Sequence, residues 1–484
     1  MRPLFRSLTA SAFALLLAGC QTSNPTPLDR PGDVPTGFTA PTASGGPIWP
    51  DATWWLNFKA NELAPLEETA QKENLDLAAA AARVVQAEAA DGVAFAGLLP
   101  TAGLSGGVSR TRAGSARTGA TSETAGTTYN AFNAGLSASY QQNFFGRQFD
   151  QLQAARESLR AARYAETVVG LSVEAEVADQ YFTVLSLRER IAITNSNIAA
   201  AKRILAITQA KVSSGVLSNL ELAEQQAVLV QQQSLLPGLI EAEREARYAL
   251  AILLGRAPEG FDVTAQNLDG VVSPVVQPGL PSDLLLRLPD IAEAEANLFA
   301  AHANVDAARA AFFPSLSLTG QGGYTSGAIG NLINPSNFIW SIGASVVQTI
   351  FDGGAIKAQS DEARAVQTEM LADYRKTVFS DFGQVESALG TVRSTSDQLT
   401  LLDAEVKADA EAFRISELQY REGTIDIVQL LTNQQNLFNA QNAFVQTKLA
   451  RLEANIGLYT ALGGGWTQKA DDASYHYQLD WWPL

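Results

Sequence analysis

Cys20 is the one residue in this 484-residue chain whose type and setting prepare it for covalent chemistry. It follows Leu17-Ala18-Gly19, and the order Leu-Ala-Gly-Cys resembles the bacterial lipobox. There the Cys is acylated, with palmitate among the chains it carries, and becomes the mature N-terminus. The residues before it agree. Arg2 and Arg6 give a basic start, Leu8 to Leu17 an apolar stretch, and Ala18-Gly19 a small-residue cleavage site, so 1–19 reads as a secretory signal. No other Cys exists, which excludes a disulfide framework, a thiolate metal site and a Cys nucleophile. The two His, His302 and His476, lie far apart with no metal-ligand partner at useful spacing. His302 falls in an Ala-rich helix predicted over 289–312, where a structural role is expected. No phosphate loop, nucleophile elbow or zinc helix appears. The residues therefore predict no enzyme, no cofactor and no metal. With only Met1 and Met370, a thioether relay for soft metals is also disfavoured.

The net charge is −16, and removal of Arg2 and Arg6 with the signal takes it to −18. Such acidity argues against nucleic acid, which needs a basic footprint. Hydrophobic residues form 46% of the chain, yet past the signal no run of eighteen apolar residues exists. Entry into a membrane must then be by strands. Residues 21–50 are rich in Pro, Gly and Thr and read as an extended tether. Gln21, where an Asp favours inner-membrane retention of lipoproteins, points to the outer membrane.

What must position these features is a duplicated unit. Leu98-Leu99-Pro100 recurs as Phe312-Phe313-Pro314, and Phe144-Phe145-Gly146 recurs as Ile350-Phe351-Asp352-Gly353. Ser214-Gly215 recurs as Glu422-Gly423, and Leu254-Gly255 as Leu462-Gly463. The offsets are 214, 206, 208 and 208, too regular for chance and too long for a solenoid. Segments 101–110, 129–144, 315–325 and 338–350 alternate apolar with small polar residues, the pattern of strands with one apolar and one polar face. Their lengths suit tilted membrane strands, joined by polar turns at 111–128 and 326–337. Helical spacing then runs without Pro from Arg147 to Ser213, about 100 Å of helix at the usual rise. Ile191, Ile198, Leu205 and Val212 form a seven-residue seam. In the second copy Val366, Met370, Tyr374, Val378, Phe382, Val385, Leu389 and Val392 step by three or four. Shorter partners, 217–254 and 425–462, follow Gly215 and Gly423, which mark the tip turns.

Four strands cannot close a barrel, and an open edge in lipid leaves backbone groups unsatisfied. Three chains supply twelve strands to one barrel, with a polar interior and Phe, Trp, Leu and Ile toward lipid. The predicted fold is thus a membrane β-barrel joined to a long α-helical coiled-coil tunnel, with two tandem repeats and four strands per chain. The expected boundaries are a signal at 1–19, an acylated tether and equatorial segment at 20–60, repeats at 61–270 and 271–465, and a tail at 466–484.

One motif is more specific. Leu285-Leu286-Arg287-Leu288-Pro289-Asp290-Ile291, then Ala294-Glu295 and Ala307-Ala308-Arg309-Ala310-Ala311-Phe312-Phe313-Pro314-Ser315-Leu316-Ser317-Leu318-Thr319-Gly320, resembles the outer-membrane factor family. These are TolC-like lipoproteins of resistance-nodulation-division efflux systems, of the NodT type, and the resemblance runs over roughly 50 to 465. It implies a homotrimer held in outer-membrane lipid and extending into the periplasm, a periplasmic adaptor, an inner-membrane pump, and passive export of small toxic compounds or drugs. The usual Arg-Pro-Asp centre is Leu288-Pro289-Asp290 here, so a local ion pair is lost. The family's tip pattern maps onto Gln419, Tyr420, Val428 and Thr432, of which Tyr420 fits while Gln419 and Thr432 depart. Glu224, equivalent to Thr432 in the first copy, and Asp426 are the acids that could take over at the periplasmic aperture. Two other readings keep parts of this picture. One is the duct of a type I protein secretion system; the other is a surface adhesin, disfavoured because strands precede helices in both copies.

Overall fold

The computed structural model describes residues 37–39, 48–112, 128–142, 144–276 and 279–466. The signal 1–19, Cys20, most of the tether, most of the 111–128 turn, His476 and nearly all of the tail lie outside the described residues. Helices α1 (Leu63–Glu73) and α2 (Leu75–Ala96) lead into strands β1 (Thr101–Arg112) and β2 (Thr128–Gln142). The long α3 (Arg147–Ser213) and shorter α4 (Asn219–Leu253) complete the first copy. The second copy runs α5 (Pro289–Ala310), β3 (Ser315–Ser326), β4 (Phe338–Val347), α6 (Ala355–Glu422) and α7 (Ile427–Ala461). Helix lengths repeat: 22, 67 and 35 residues in the first copy against 22, 68 and 35 in the second. Uninterrupted propensity is the cause, since neither long helix contains a Pro.

The chain divides into two compact units. One holds 85–160 and 295–373 and contains the sheet. Its strands are all antiparallel in the order β1-β2-β3-β4. The register sorts the faces. One face carries Leu104 opposite Leu136, Val108 opposite Phe132, Leu316 opposite Val346, Gly320 opposite Ile342 and Tyr324 opposite Phe338. The other carries Gly103 opposite Ser137, Ser317 opposite Ser345 and Gln321 opposite Ser341. The apolar face is bare: Leu104 is 85% and Ile342 82% exposed. Below the strands Phe145 stacks on Phe313, ring centroids 4.7 Å apart. His302 Nδ1 lies 2.9 Å from the Gln367 amide and its Nε2 3.7 Å from Asp306. Burial, then the Asp306 charge, pushes the nearby Asp150 carboxyl up to about 6.

The other unit holds 37–39, 48–84, 161–276, 279–294 and 374–466 of the described residues. An aromatic turn at Trp54–Phe58 packs into helical hairpins, with Trp54 stacked on Tyr459 at 5.2 Å and Phe58 against Phe182 at 5.4 Å. Arg188 pins the irregular segment after α4 to the α3–α4 hairpin. Its guanidinium donates to Glu243 at 2.9 Å, to the Val263 and Ala265 carbonyls at 2.6 and 2.8 Å, and to Asp262. Arg binds planar acceptors in this forked manner where a single ammonium cannot.

Candidate functional site

The helical hairpin tips gather most of the residues singled out in the sequence. Gly215 and Gly423 adopt φ of +80° and +77° and end α3 and α6. Each is the left-handed residue of a paired cap: Val216 N–H reaches the Lys211 carbonyl and Thr424 N–H the Gln419 carbonyl, both at 2.9 Å. The following helices start in matched ways. Ser218 and Glu221 form a reciprocal capping box on α4. Asp426, at the equivalent position, accepts from Gln429 N–H at 2.9 Å and caps α7. The Asp426 carboxylate therefore already has a local partner.

Tyr420 is 1% exposed and lies in a cluster with Ala200, Ile204, Phe413, Ile427, Leu430, Leu437 and Phe438. Its phenol is 2.9 Å from the Thr208 hydroxyl, and burial raises its pKa above the ordinary tyrosine value. The Lys211 ammonium donates to the Tyr420 carbonyl and sits 4.6 Å from the ring centroid. Thus α3 and α6 are latched at their tips within one chain. Val428 is 60% exposed, and the exposed Thr432 turns its hydroxyl back onto the Val428 carbonyl at 2.8 Å. Glu224 is half-buried on α4.

Thr208 and Lys211 were not singled out by sequence. The seven-residue seam is offset from the buried stripe: Ile198 is buried, but Ile191, Leu205 and Val212 are half-buried. Thr194, Asn197, Ala201, Ile204 and Thr208 take the inner positions. A hydroxyl in that stripe needs a partner, and a buried tyrosine needs one too. That pairing was the available signal.

Three of the motif residues, Arg287, Pro289 and Asp290, lie elsewhere in the same unit. The Arg287 guanidinium rests over the Trp49 ring at 4.4 Å. Pro289 opens α5, where a missing N–H costs nothing. Asp290 accepts from Ile291 N–H at 2.9 Å and faces the Asp381 carboxyl. Burial, followed by the Asp290 charge, drives Asp381 well above the carboxylate range, so the pair holds a proton at neutral pH. No Arg stands at 288 to relieve it; Leu288 is buried instead. Pro314, in the sheet unit, is half-buried immediately before β3. Among the described residues no group of His, Cys, Asp or Glu could hold a metal ion, and no helix is long and apolar enough to cross a membrane.

A sequence model of the outer membrane efflux protein family matches residues 66–256 and 280–464. The pyoverdine export outer membrane protein OpmQ of Pseudomonas aeruginosa is 36% identical over 465 residues, 95% of this chain and 97% of OpmQ. The probable efflux pump outer membrane protein TtgC of Pseudomonas putida is 30% identical, over 91% of each chain. The open state of the Neisseria gonorrhoeae MtrE outer membrane channel superposes with a TM-score of 0.81 at 28% identity, covering 91% of this chain and 98% of MtrE. Sequence, length and fold agree: the chain belongs to the outer membrane efflux protein family and is an efflux channel of the outer membrane.

Proposed function

We propose that three copies of the chain close one twelve-stranded barrel and continue it as a helical duct that works with a periplasmic adaptor and an inner-membrane pump. The observation that carries this reading is the sheet. Among the described residues its β1 and β4 edges are unpaired, and its apolar face is exposed. Unpaired edges cost several kcal/mol per backbone group in hydrocarbon, so only closure with neighbouring copies makes such a sheet viable. The alternating strand directions allow β4 of one copy to meet β1 of the next antiparallel. The uncharged Ser, Thr, Gln and Gly face then lines a wet passage that moves small compounds without chemistry. Relatives named for export and efflux favour this over protein secretion. Acylated Cys20 adds a lipid anchor, and 61–270 and 271–465 are the two repeats. Native mass spectrometry of the full-length protein in detergent should give a trimer. A monomer or dimer under conditions that preserve the sheet would overturn the reading.

In this reading the tip turns at Gly215 and Gly423 form the periplasmic aperture. Val428 narrows it, and the Tyr420–Thr208 latch holds α6 against α3. Three copies each of Glu224 and Asp426 about the axis favour cations. The double variant Val428→Gly with Tyr420→Ala should raise single-channel conductance several-fold in planar bilayers. Unchanged conductance would remove these residues from the gate.

A further inference from the structure

The four strands contain no acidic residue and only two basic ones, Arg110 and Arg112, although the chain as a whole is strongly acidic. Both lie at the same end of β1, the end away from the helices, and both share the parity of Leu104 and Val108. They therefore belong to the apolar face, not to the polar one. Along that face the register gives Ala102 with Ala138, Leu104 with Leu136, Gly106 with Ala134, and Val108 with Phe132. The next rows are Arg110 with Asn130 and Arg112 with Thr128. The apolar band thus ends at an aromatic level, marked by Phe132 and by the Tyr324–Phe338 pair at 5.4 Å, and gives way at once to cations. Among the described residues, no carboxylate pairs with either arginine.

We infer that Arg110 and Arg112 form a phosphate-binding rim that grips the phosphorylated headgroups of the outer leaflet around the barrel. The inference rests on the barrel reading above. Two residues of strand rise about 7 Å, and the headgroup layer beyond the hydrocarbon is roughly 5–8 Å deep on each side. Arg110, about 7 Å along the strand from the last apolar row, therefore falls in that layer, and Arg112, about 14 Å along it, stands just beyond and faces the layer from outside. A guanidinium pairs with phosphate through two parallel hydrogen bonds, so its partner is an anionic phosphate ester and not a zwitterionic surface in general. On an edge strand each pair would stand beside the neighbouring copy, giving three sites per barrel.

The test uses the full-length trimer in detergent, titrated separately with lipid A, with lipid A stripped of its phosphates, and with phosphatidylcholine, bound lipid being counted by native mass spectrometry. The wild type should prefer intact lipid A. The R110Q/R112Q variant should hold it on the order of ten-fold less tightly, with the other two lipids unchanged. Channel formation in planar bilayers is measured on the same samples. If wild type and variant both form channels and retain lipid A equally, the arginine rim is wrong. If neither forms channels, the barrel reading fails and the rim falls with it.

Discussion

Gly463→Ala should lower the melting temperature far more than Gly423→Ala, although both glycines end a helix in the left-handed conformation. At Gly423 (φ +77°) an added Cβ meets nothing within 4 Å, so the only penalty is the left-handed backbone, about 1–2 kcal/mol. At Gly463 (φ +84°) the same Cβ would stand 2.0 Å from the Arg287 carbonyl oxygen. Backbone cannot swing aside like a flexible side chain, so overpacking adds a further 1–3 kcal/mol or more. The first copy repeats the contrast. Gly215 is open, whereas a Cβ on Gly255 (φ +67°) would lie 2.1 Å from the Glu73 carbonyl oxygen. Glu73 and Arg287 are themselves separated by the 214-residue offset of the strand repeats. One device thus serves both copies: the glycine ending the shorter hairpin helix seats on the chain just before the helix that leads to the strands. Melting followed by circular dichroism in detergent would decide it, with Gly463→Ala and Gly255→Ala each about 3 kcal/mol or more less stable than wild type. Equal losses at tip and base would show that the close contacts relax freely.

This contact explains why the duplication was legible in sequence while its purpose was not. Gly255 and Gly463 stood out by their equal spacing from the tip glycines, but the carbonyls they meet are nearly two hundred residues away. The same division holds elsewhere. Strand limits were legible because alternation ends where the face ends; the 129–144 segment becomes Thr128–Gln142. The limits of the long helices were legible because no Pro interrupts them and a turn Gly ends each, and α3 has the expected bounds Arg147–Ser213. Register and partner choice were not. A seven-residue spacing of Ile and Leu favours Leu205 as an inner residue, yet the neighbouring helices take Ile204 and Thr208 instead. Apolar periodicity counts hydrophobes, and the inner stripe here includes Thr194, Asn197 and Thr208, which it passes over. Likewise Asp426 stood out as an acid by position, while its second task, capping α7 through the Gln429 N–H as Ser218 opens α4, was not read from the sequence.

Buried acids were the least legible feature, and one of them carries the largest pH effect. Glu67 on α1 is fully buried, and neither carboxyl oxygen has a hydrogen-bond partner among the described residues. Burial first, and then the charge of Glu174, push its pKa up to about 9. Glu174 is itself raised by burial, though Gln71 donates to it at 3.0 Å and works in the opposite direction. The folded protein therefore keeps the Glu67 proton between about pH 4.5 and 9, while the unfolded chain releases it through that window. The native state binds more protons, so stability falls as pH rises from 4.5 toward 9. Glu67→Gln keeps the shape and removes the ionisation. At pH 5 it should match wild type closely. At pH 8.5 it should be the more stable protein, by on the order of a few kcal/mol, or a melting temperature several degrees higher at equal scan rate. Glu174→Gln should act in part the same way, because it removes the second carboxylate whose charge opposes ionisation of Glu67. If the Glu67→Gln difference were the same at pH 5 and pH 8.5, Glu67 would not be holding a proton in the fold. Its uncharged burial against the helical hairpins would then need another cause.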